Sequence, residues 1–372
     1  MLVSYYPPGR GHGGGLRLLD LYSLIRGQQP GRRIDLVTCG PASAAIDNEA
    51  AALFDNVHVV ESTEFHAKGE VLRRCISHGY SLVDLQYLQS GSLASAFARS
   101  MGTRVLFSPM ESMIRVAAMD VGAFVRKPSR SRWQALRGSL VAARQEWRFA
   151  NRASQVSCVS GPDARHMKFV LPHKRVDALE TGVSTIEFPK SSANWDKQRQ
   201  LDRYPRLLFV AYFGSPTNQA ALDWYLLQVH PIVLKSVPDY RLEVIGRALE
   251  ETGRHAPDGV VFTGSVERLE ESMQGAWAGI APALSGAGLR GKINQYAIMG
   301  MPCVASRIAA AGLAYVNGKS ILVAGDAQDF ARKCIQLLTS GDCNAEMGMS
   351  AREVCLTHYA WQARLHQVLS IY

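Results

Sequence analysis

The chain has 372 residues, of which 47% are hydrophobic and 20% charged, a composition typical of a globular protein. This length exceeds what one hydrophobic core usually supports, so about two domains are expected. No run approaches the ~18 consecutive apolar residues of a membrane span. No C-x-x-C pair or H-E-x-x-H motif occurs, which argues against a zinc protein.

Positive charge is concentrated in one part of the chain. The net charge is +9, and residues 1–185 hold 23 Lys and Arg against 15 Asp and Glu. Residues 126–152 alone carry eight Arg or Lys and one acid, Glu146. Such a balance suits nucleic acid as well as other anionic partners, but the base-stacking motifs of known nucleic-acid-binding modules are absent, which argues against nucleic acid.

The first predicted strand, residues 2–5, leads into the glycine-rich turn "PPGRGHGGGLR". Three of its glycines fit the G-x-G-x-x-G spacing of dinucleotide-binding turns, which bring backbone N–H groups close to a phosphate. The second predicted strand, residues 34–38, ends without the acidic side chain that holds the ribose in NAD-binding proteins. The turn is therefore predicted either to contact a ligand other than NAD or to join strand and helix without a ligand.

Short apolar segments alternate with helix-period segments along both halves, which predicts parallel α/β sheets. The predicted strands of the first half are residues 2–5, 34–38, 57–60, 82–85, 104–107, 156–159 and 176–179. The second half contains "RLLFVAYF", "YRLEVIG", "VVFTG", "AGIAPAL", "PCVAS" and "SILVAG". The fold class is therefore α/β, with two tandem Rossmann-like domains.

Glu111 follows the predicted strand 104–107, at the edge of the sheet where parallel α/β domains bind ligands. A carboxylate there can accept a proton from an attacking hydroxyl or stabilise a developing positive charge. It can equally be an acid placed near a helix N-terminus because the helix dipole favours it. Both interpretations stay open.

The basic segment predicts an amphipathic helix. Apolar residues recur at alternating spacings of three and four, at Trp133, Leu136, Leu140, Ala143, Trp147 and Ala150. This stripe is expected to pack in the core. Four cations fall largely outside it, Arg130, Arg137, Arg144 and Arg148. They are predicted to contact an anionic membrane surface or, by the same electrostatics, an anionic polysaccharide.

A second glycine-rich turn, "LSGAGLRGKINQYAIMG", precedes a predicted helix. Together with "LLFVAYFGSPTNQAALDWYLLQVHPIV", "VVFTGSV" and "HYAW", it resembles the nucleotide-binding domain of family 4 GT-B glycosyltransferases. Upstream, "YYPPGRGHGGGLR" and "EWRFANRASQVSCVSGPDA" resemble the first domain of the same family. The resemblance covers nearly the whole chain and implies two Rossmann-like domains facing a central cleft.

The resemblance also implies domain boundaries. An acceptor domain would comprise residues 1–185, a linker residues 186–204, and a nucleotide-sugar domain residues 205–350. Residues 351–372 would form a C-terminal helix that packs back toward the first domain.

Donor binding is implied for the second domain. The residues concerned are Gly286, Gly288, Arg290, Lys292, Gln295, Gly264, Ser265 and Val266. A helix N-terminus and two cations would stabilise the negative charge that develops on the leaving diphosphate. No D-x-D motif occurs, so no metal is expected. Family members commonly carry two glutamates where this chain has Ala287 and Gln295, and an amide is a weaker acceptor for ribose hydroxyls than a carboxylate.

In the first domain, the resemblance places Gly13, Gly14 and Gly15 beside the donor phosphate and the acceptor. Catalytic candidates are Glu111 and, as a minor one, His12.

The implied activity is metal-independent transfer of a sugar from a nucleotide-sugar donor to a hydroxyl of a glycan or lipid-linked acceptor, in cell-surface polysaccharide or glycoconjugate synthesis. No cofactor beyond the donor substrate is expected. Two alternatives stay open: a sugar-nucleotide epimerase on the same scaffold, and a non-catalytic nucleotide- or carbohydrate-binding protein that has lost both glutamates. The sequence shows no leader segment, so a cytoplasmic location is expected, with peripheral attachment to the inner face of the membrane.

Overall fold

The computed structural model describes the chain except for residues 11–12, 41–45, 68–78, 99–101, 186–203, 267 and 287–290. The described residues divide into two compact units. The first comprises residues 1–181 and 365–372, and the second comprises residues 182–286 and 291–364. The predicted linker thus lies almost entirely outside the described residues.

The first unit contains a seven-stranded parallel sheet in the order β3-β2-β1-β4-β5-β6-β7. Its strands are β1 (Leu2–Ser4), β2 (Asp35–Cys39), β3 (Asn56–Val60), β4 (Leu82–Gln86), β5 (Arg104–Ser108), β6 (Gln155–Cys158) and β7 (Arg175–Ala178). Each overlaps a strand predicted from the sequence, so those predictions are confirmed. Neighbouring residues of a strand point to opposite faces of the sheet, and Leu2 and Val3 of β1 as well as Leu106 and Phe107 of β5 are fully or almost fully buried, as expected for strands covered on both faces.

The helices of Met1–Thr181 follow the strands in alternation. They are α1 (Gly13–Gln28), α2 (Asn48–Ala51), α3 (Ser62–Ala67), α4 (Tyr87–Ser90), α5 (Ala94–Phe97), α6 (Met113–Arg126), α7 (Arg130–Arg152) and α8 (Gly161–Val170), with a 3₁₀ turn at Gly91–Leu93. Helices α6 and α7 form a hairpin in which Ser112 and Ser129 cap the two N-termini with their side-chain oxygens.

The second unit contains a six-stranded parallel sheet in the order β10-β9-β8-β11-β12-β13. Its strands are β8 (Arg206–Val210), β9 (Arg241–Ile245), β10 (Val260–Gly264), β11 (Ala278–Ala281), β12 (Cys303–Ser306) and β13 (Leu322–Ala324). Consecutive residues of β8 belong to different apolar clusters, Leu208 to one and Phe209 to the other. Both faces of this sheet are therefore covered, and the predicted second α/β series is confirmed.

The later helices complete both units. They are α9 (Pro216–Trp224), α10 (His230–Ser236), α11 (Leu269–Met273), α12 (Gly291–Ile298), α13 (Arg307–Ala310), α14 (Ala327–Thr339), α15 (Gly341–His358) and α16 (Leu365–Ile371). A π-helical turn at Tyr225–Val229 joins α9 to α10, and 3₁₀ turns lie at Glu250–Thr252 and Trp361–Arg364. No described helix is long and apolar enough to cross a bilayer.

Helix α7 buries a different face from the predicted one. Leu136 and Ala150 are buried as expected, but Trp133, Leu140 and Trp147 are 48%, 47% and 42% exposed. The prediction that the whole apolar stripe packs in the core is wrong for these three residues. Core positions on this helix are taken instead by smaller or polar residues, including Ser139 and Glu146.

Candidate functional site

In the second sheet, the direction in which successive strands are added to the sheet reverses between β8 and β11. The chain passes from β8 outward to β9 and β10, then returns to place β11 on the other side of β8. The segments after β8 and β11 therefore diverge at the carboxyl ends of these strands, where open α/β sheets bind ligands. Helix α12 follows β11 in the chain, so Lys292 and Gln295, two of the predicted donor residues, lie on the helix that comes after this strand.

Tyr296 holds α12 at this point of the sheet. Strands β8 and β11 pair over only two residues each. The hydroxyl of Tyr296 accepts a hydrogen bond from the N–H of Val210 at 3.0 Å and lies 3.4 Å from the carbonyl oxygens of Leu208 and Ile280. A Cβ on Gly279 would overlap the Tyr296 ring, so this glycine lets the ring pack directly on β11.

Lys292 and Gln295 lie on the accessible side of α12. Residues three apart share one face of a helix, and both side chains are half-buried, whereas Ile293, Asn294 and Tyr296 are buried. The ammonium of Lys292 lies 4.8 Å from the centroid of the Phe209 ring, which directs it toward β8. The amide of Gln295 has no hydrogen-bond partner among the described residues, so it can bind a polar ligand without losing an internal contact.

Backbone hydrogen bonds join the segments that follow β8 and β9. The N–H of Ala211 donates to the carbonyl of Ile245 at 3.0 Å, and the N–H of Phe213 donates to that of Arg247 at 2.9 Å. A Cβ on Gly246, where φ is +155°, would overlap the carbonyl oxygen of Ala211. This close approach requires glycine. It fixes the segments after β8 and β9 relative to each other at the edge of the sheet.

Gly264, at the end of β10, is joined to the same edge. Its carbonyl accepts from the N–H of Gly246 at 2.7 Å, and its φ of +74° turns the chain sharply. Ser265 is exposed, whereas Val266 packs against the apolar cluster on one face of the sheet. Gly286, after β11, also has a positive φ of +102°.

Three residues predicted for the site, Gly288, Arg290 and His12, lie outside the described residues. Their roles remain predictions.

In the first sheet, the direction in which successive strands are added reverses between β1 and β4, and the first glycine-rich turn follows β1 at this point. Helix α1 begins at Gly13, and the carbonyl of Gly15 accepts from the N–H of Gly9 at 3.1 Å. A Cβ on Gly14 would overlap the hydroxyl of Tyr87, the residue that follows β4. Tyr87 has a φ of +70°, an unusual conformation for a bulky side chain and one found most often at functional sites.

Glu111 lies between β5 and α6, one residue before the N-cap Ser112, and is exposed. This position agrees with both interpretations, a reactive carboxylate at the carboxyl edge of the sheet and an acid near a helix N-terminus. Strand β5 is paired with β4, so Glu111 and Tyr87 follow neighbouring strands. The structure brings Glu111 to the same edge of the first sheet as the glycine-rich turn.

The buried side chain of Glu146 contacts the start of α6. Its carboxylate accepts from the N–H of Ile114 at 2.7 Å and lies 3.4 Å from the hydroxyl of Ser112. Burial and, to a lesser extent, the nearby Asp163 together raise the pKa of Glu146 to about 8 against the lowering effect of the hydrogen bonds. One of its oxygens has no hydrogen-bond partner among the described residues. Glu146 therefore holds the start of α6, the helix that Glu111 precedes.

Tyr87, Glu146 and Tyr296 were not predicted from the sequence as parts of these sites. Neither tyrosine has a sequence signal, because both act through contacts with distant strands. The signal for Glu146 was its isolation as the sole acid among eight cations.

Residues 204–340 match the family described as glycosyl transferases group 1. This match covers the second sheet and all the residues predicted for the donor site that the structure describes.

Two curated proteins are similar in sequence. An uncharacterised 44.6 kDa protein in the cps region of Klebsiella pneumoniae is 30% identical over 139 residues, 35% of this chain and 36% of that protein. A phosphatidyl-myo-inositol mannosyltransferase of Mycobacterium leprae is 27% identical over 206 residues, 51% of this chain and 54% of that protein. The chain thus matches between a third and about half of the length of these relatives.

Solved structures extend the likeness to the whole chain. A sucrose-phosphate synthase from Thermosynechococcus elongatus superposes with a TM-score of 0.75 at 14% identity, covering 100% of this chain and 98% of that one. HepE of Anabaena, solved in complex with UDP and glucose, superposes with a TM-score of 0.69 at 13% identity, covering 99% and 98%. At these identities the likeness shows the fold, which is that of the GT-B proteins.

Proposed function

We propose that this chain, a GT-B protein whose residues 204–340 belong to the group 1 glycosyl transferases, transfers a sugar from a nucleotide-sugar donor to a hydroxyl group. The observation that carries the proposal is the agreement between the family match and the position of α12. The helix that follows the second glycine-rich turn starts at the carboxyl end of β11, with Lys292 in its first turn.

The donor diphosphate binds at the N-terminus of α12. In the transfer, the bond between the sugar carbon and the phosphate oxygen breaks while the acceptor oxygen bonds to that carbon, and negative charge develops on the diphosphate. The helix dipole, Lys292 and Arg290 stabilise this charge, so no metal is required. Gln295 bonds a hydroxyl of the donor, and the backbone at Gly264–Val266 contacts the base. The solved complex of HepE with UDP and glucose supports a donor of this class.

The acceptor is a glycan or a lipid-linked molecule and binds to the first unit. Gly13–Gly15 are close to the reacting groups, and Glu111 accepts the acceptor's proton or stabilises positive charge on the sugar. His12 is the second candidate for proton transfer.

The cations of α7 bind an anionic surface, either a bilayer or a polysaccharide, which keeps a cytoplasmic enzyme near its acceptor. Arg130, Arg137, Arg144 and Arg148 are all exposed in the structure, which supports this part of the proposal.

A thermal-shift screen against UDP, GDP, dTDP and CMP tests donor binding, because a ligand that binds only the folded state raises the melting temperature. We expect one nucleoside diphosphate to raise it, with and without EDTA. The matching nucleotide-sugars are then incubated with the protein, with and without a membrane extract as a source of acceptor.

Acceptor-dependent release of the nucleotide is the expected result. Conversion of the donor without an acceptor would indicate an epimerase, and binding without turnover a non-catalytic protein. If no nucleotide changes the melting temperature, the proposed donor site is wrong.

A further inference from the structure

Three large apolar side chains form a line along the outside of α7. We call Trp133, Leu140 and Trp147 the aromatic ridge; they are spaced seven residues apart, and such positions differ by only about 20° around a helix. Helix α6 adds Val121 and Val125, which are 43% and 71% exposed. The ring of Trp133 packs against Phe124 of α6, with ring centroids 5.6 Å apart, and still leaves 48% of the residue exposed. The hairpin of α6 and α7 therefore exposes large apolar side chains on both of its helices.

A line of cations runs beside the ridge. Arg137 lies one helical turn after Trp133, and Arg144 lies one turn after Leu140, so each arginine adjoins a ridge residue. Arg130, Arg137 and Arg144 are exposed and form no ion pair or hydrogen bond with the part of the chain that the structure describes.

The single acid of this segment does not offset these cations at the surface. Glu146 is fully buried on the opposite side of α7, and burial raises its pKa to about 8, so it is mostly neutral at pH 7. The exposed face of α7 therefore combines large apolar side chains with charged side chains that are all cationic.

We infer that the aromatic ridge inserts into the headgroup region of an anionic lipid bilayer while Arg130, Arg137 and Arg144 bind the lipid phosphates. Tryptophan combines an apolar body with a polar tip and suits this interface, and long arginine side chains reach the phosphates from beside it. Each cation near an anionic leaflet adds to the binding, and the effect weakens as salt screens it.

A second copy of the chain and an anionic polysaccharide would fit this combination of apolar and cationic side chains less well. In a symmetric dimer a two-fold axis would bring the line of arginines close to its own copy, and like charges would repel. An anionic polysaccharide would neutralise the arginines but would leave Leu140, Val121 and Val125 in water. An anionic bilayer offers negative charge and apolar depth together.

The experiment measures vesicle binding alone, without donor or acceptor, so its outcome is independent of the proposed sugar transfer. The whole protein is sedimented with vesicles of phosphatidylcholine, or of equimolar phosphatidylglycerol and phosphatidylcholine. We expect binding to the anionic vesicles only, lost at high salt. Brominated lipids should quench the fluorescence of Trp133 and Trp147, because bromine quenches tryptophan only at short range.

Two variants separate the contribution of the aromatic ridge to vesicle binding from that of the arginines. Trp133→Ser/Leu140→Ser/Trp147→Ser should lower vesicle affinity at least about tenfold, and Arg137→Ser/Arg144→Ser should lower it similarly and reduce its salt dependence. The control Leu227→Ser/Lys235→Ser changes an exposed leucine and an exposed lysine of the second unit and should bind like wild type. Unchanged melting temperatures show that the variants are folded.

Three results would overturn the inference. The first is failure of the wild type to sediment with anionic vesicles at low salt. The second is wild-type vesicle affinity in the ridge variant, which would leave electrostatic adsorption alone. The third is binding of a polyanion such as alginate through the same arginines without any binding to vesicles.

Discussion

At the residue scale, the proposed donor site depends on which side chains of α12 face outward. Tyr296 occupies the inner side of the helix and bonds to the backbone of β8, so Lys292 and Gln295 are left on the accessible side. The position of these two residues is therefore decided by a tyrosine that is itself fully buried.

Lys292→Met keeps most of the side-chain length and removes the charge. Loss of one charge-assisted contact with a diphosphate should raise the Kd for the binding nucleotide about 10- to 100-fold. Calorimetric titration measures this, with Lys319→Met, an exposed lysine of the same unit, as the control. Equal affinity in both variants would place the diphosphate elsewhere.

Glu111→Gln separates the two interpretations of Glu111. If the carboxylate takes part in the chemistry, kcat should fall about 10²- to 10⁴-fold while the melting temperature stays nearly constant, because the side chain is exposed. Asp120→Asn, on the helix that Glu111 precedes, is the control and should keep full activity. Full activity of Glu111→Gln would make Glu111 a helix-terminal acid.

At the scale of elements, Glu146 joins α7 to the first turn of α6. Its carboxyl group accepts a hydrogen bond from the N–H of Ile114, and the side chain is fully buried, so its pKa is raised to about 8 and the protonated form is favoured at pH 7. The two helices of the hairpin that exposes the aromatic ridge are thus joined to each other through a titratable group.

Glu146→Gln should make stability less sensitive to pH. The pKa is about 8 in the folded chain, above the ordinary value of about 4.5, so the unfolded chain binds fewer protons between these pH values and wild-type stability falls as pH rises. Gln does not titrate. From pH 5 to pH 8 the variant should therefore gain at least about 1.4 kcal/mol relative to wild type, the equivalent of a tenfold difference in proton affinity. Urea unfolding at several pH values measures the difference, and a constant difference would contradict the assignment.

At the scale of the whole molecule, the last helix belongs to the first unit although the chain reaches it from the second. Helix α16 bonds this unit through Gln367, whose amide donates to the carbonyl of Ala178 at 2.7 Å. The hydroxyl of Tyr372 donates to the buried carboxylate of Asp84 at 2.8 Å, and that of Tyr22 donates to the same carboxylate at 2.9 Å. Burial raises the pKa of Asp84.

Tyr372→Phe should destabilise the first unit by about 1–3 kcal/mol, because a buried carboxylate loses a donor that water cannot replace. Chemical unfolding followed by circular dichroism measures the loss. Tyr212→Phe alters a tyrosine that is 51% exposed and serves as the control. Equal stability of the two variants would show that α16 does not depend on this contact.

The sequence alone determined the α/β class, all thirteen described strands and the position of both glycine-rich turns. These features are local: apolar segments of four to eight residues alternate with helical periods, and glycine appears where a strand must turn sharply into a helix. The resemblance carried by those segments also indicated the family that residues 204–340 match.

Only the tertiary structure decided which face of α7 is buried. The spacing of Trp133, Leu140 and Trp147 is that of an apolar stripe facing a core. Spacing cannot show what packs against a helix, however, and in the structure Ser139 and Glu146 are buried while these three residues are exposed. The same holds for Tyr87, Tyr296 and Tyr372, whose partners lie on distant strands or turns and leave no pattern in the neighbouring sequence. Local periodicity determines an element, whereas burial and hydrogen bonding depend on contacts between residues far apart in the chain.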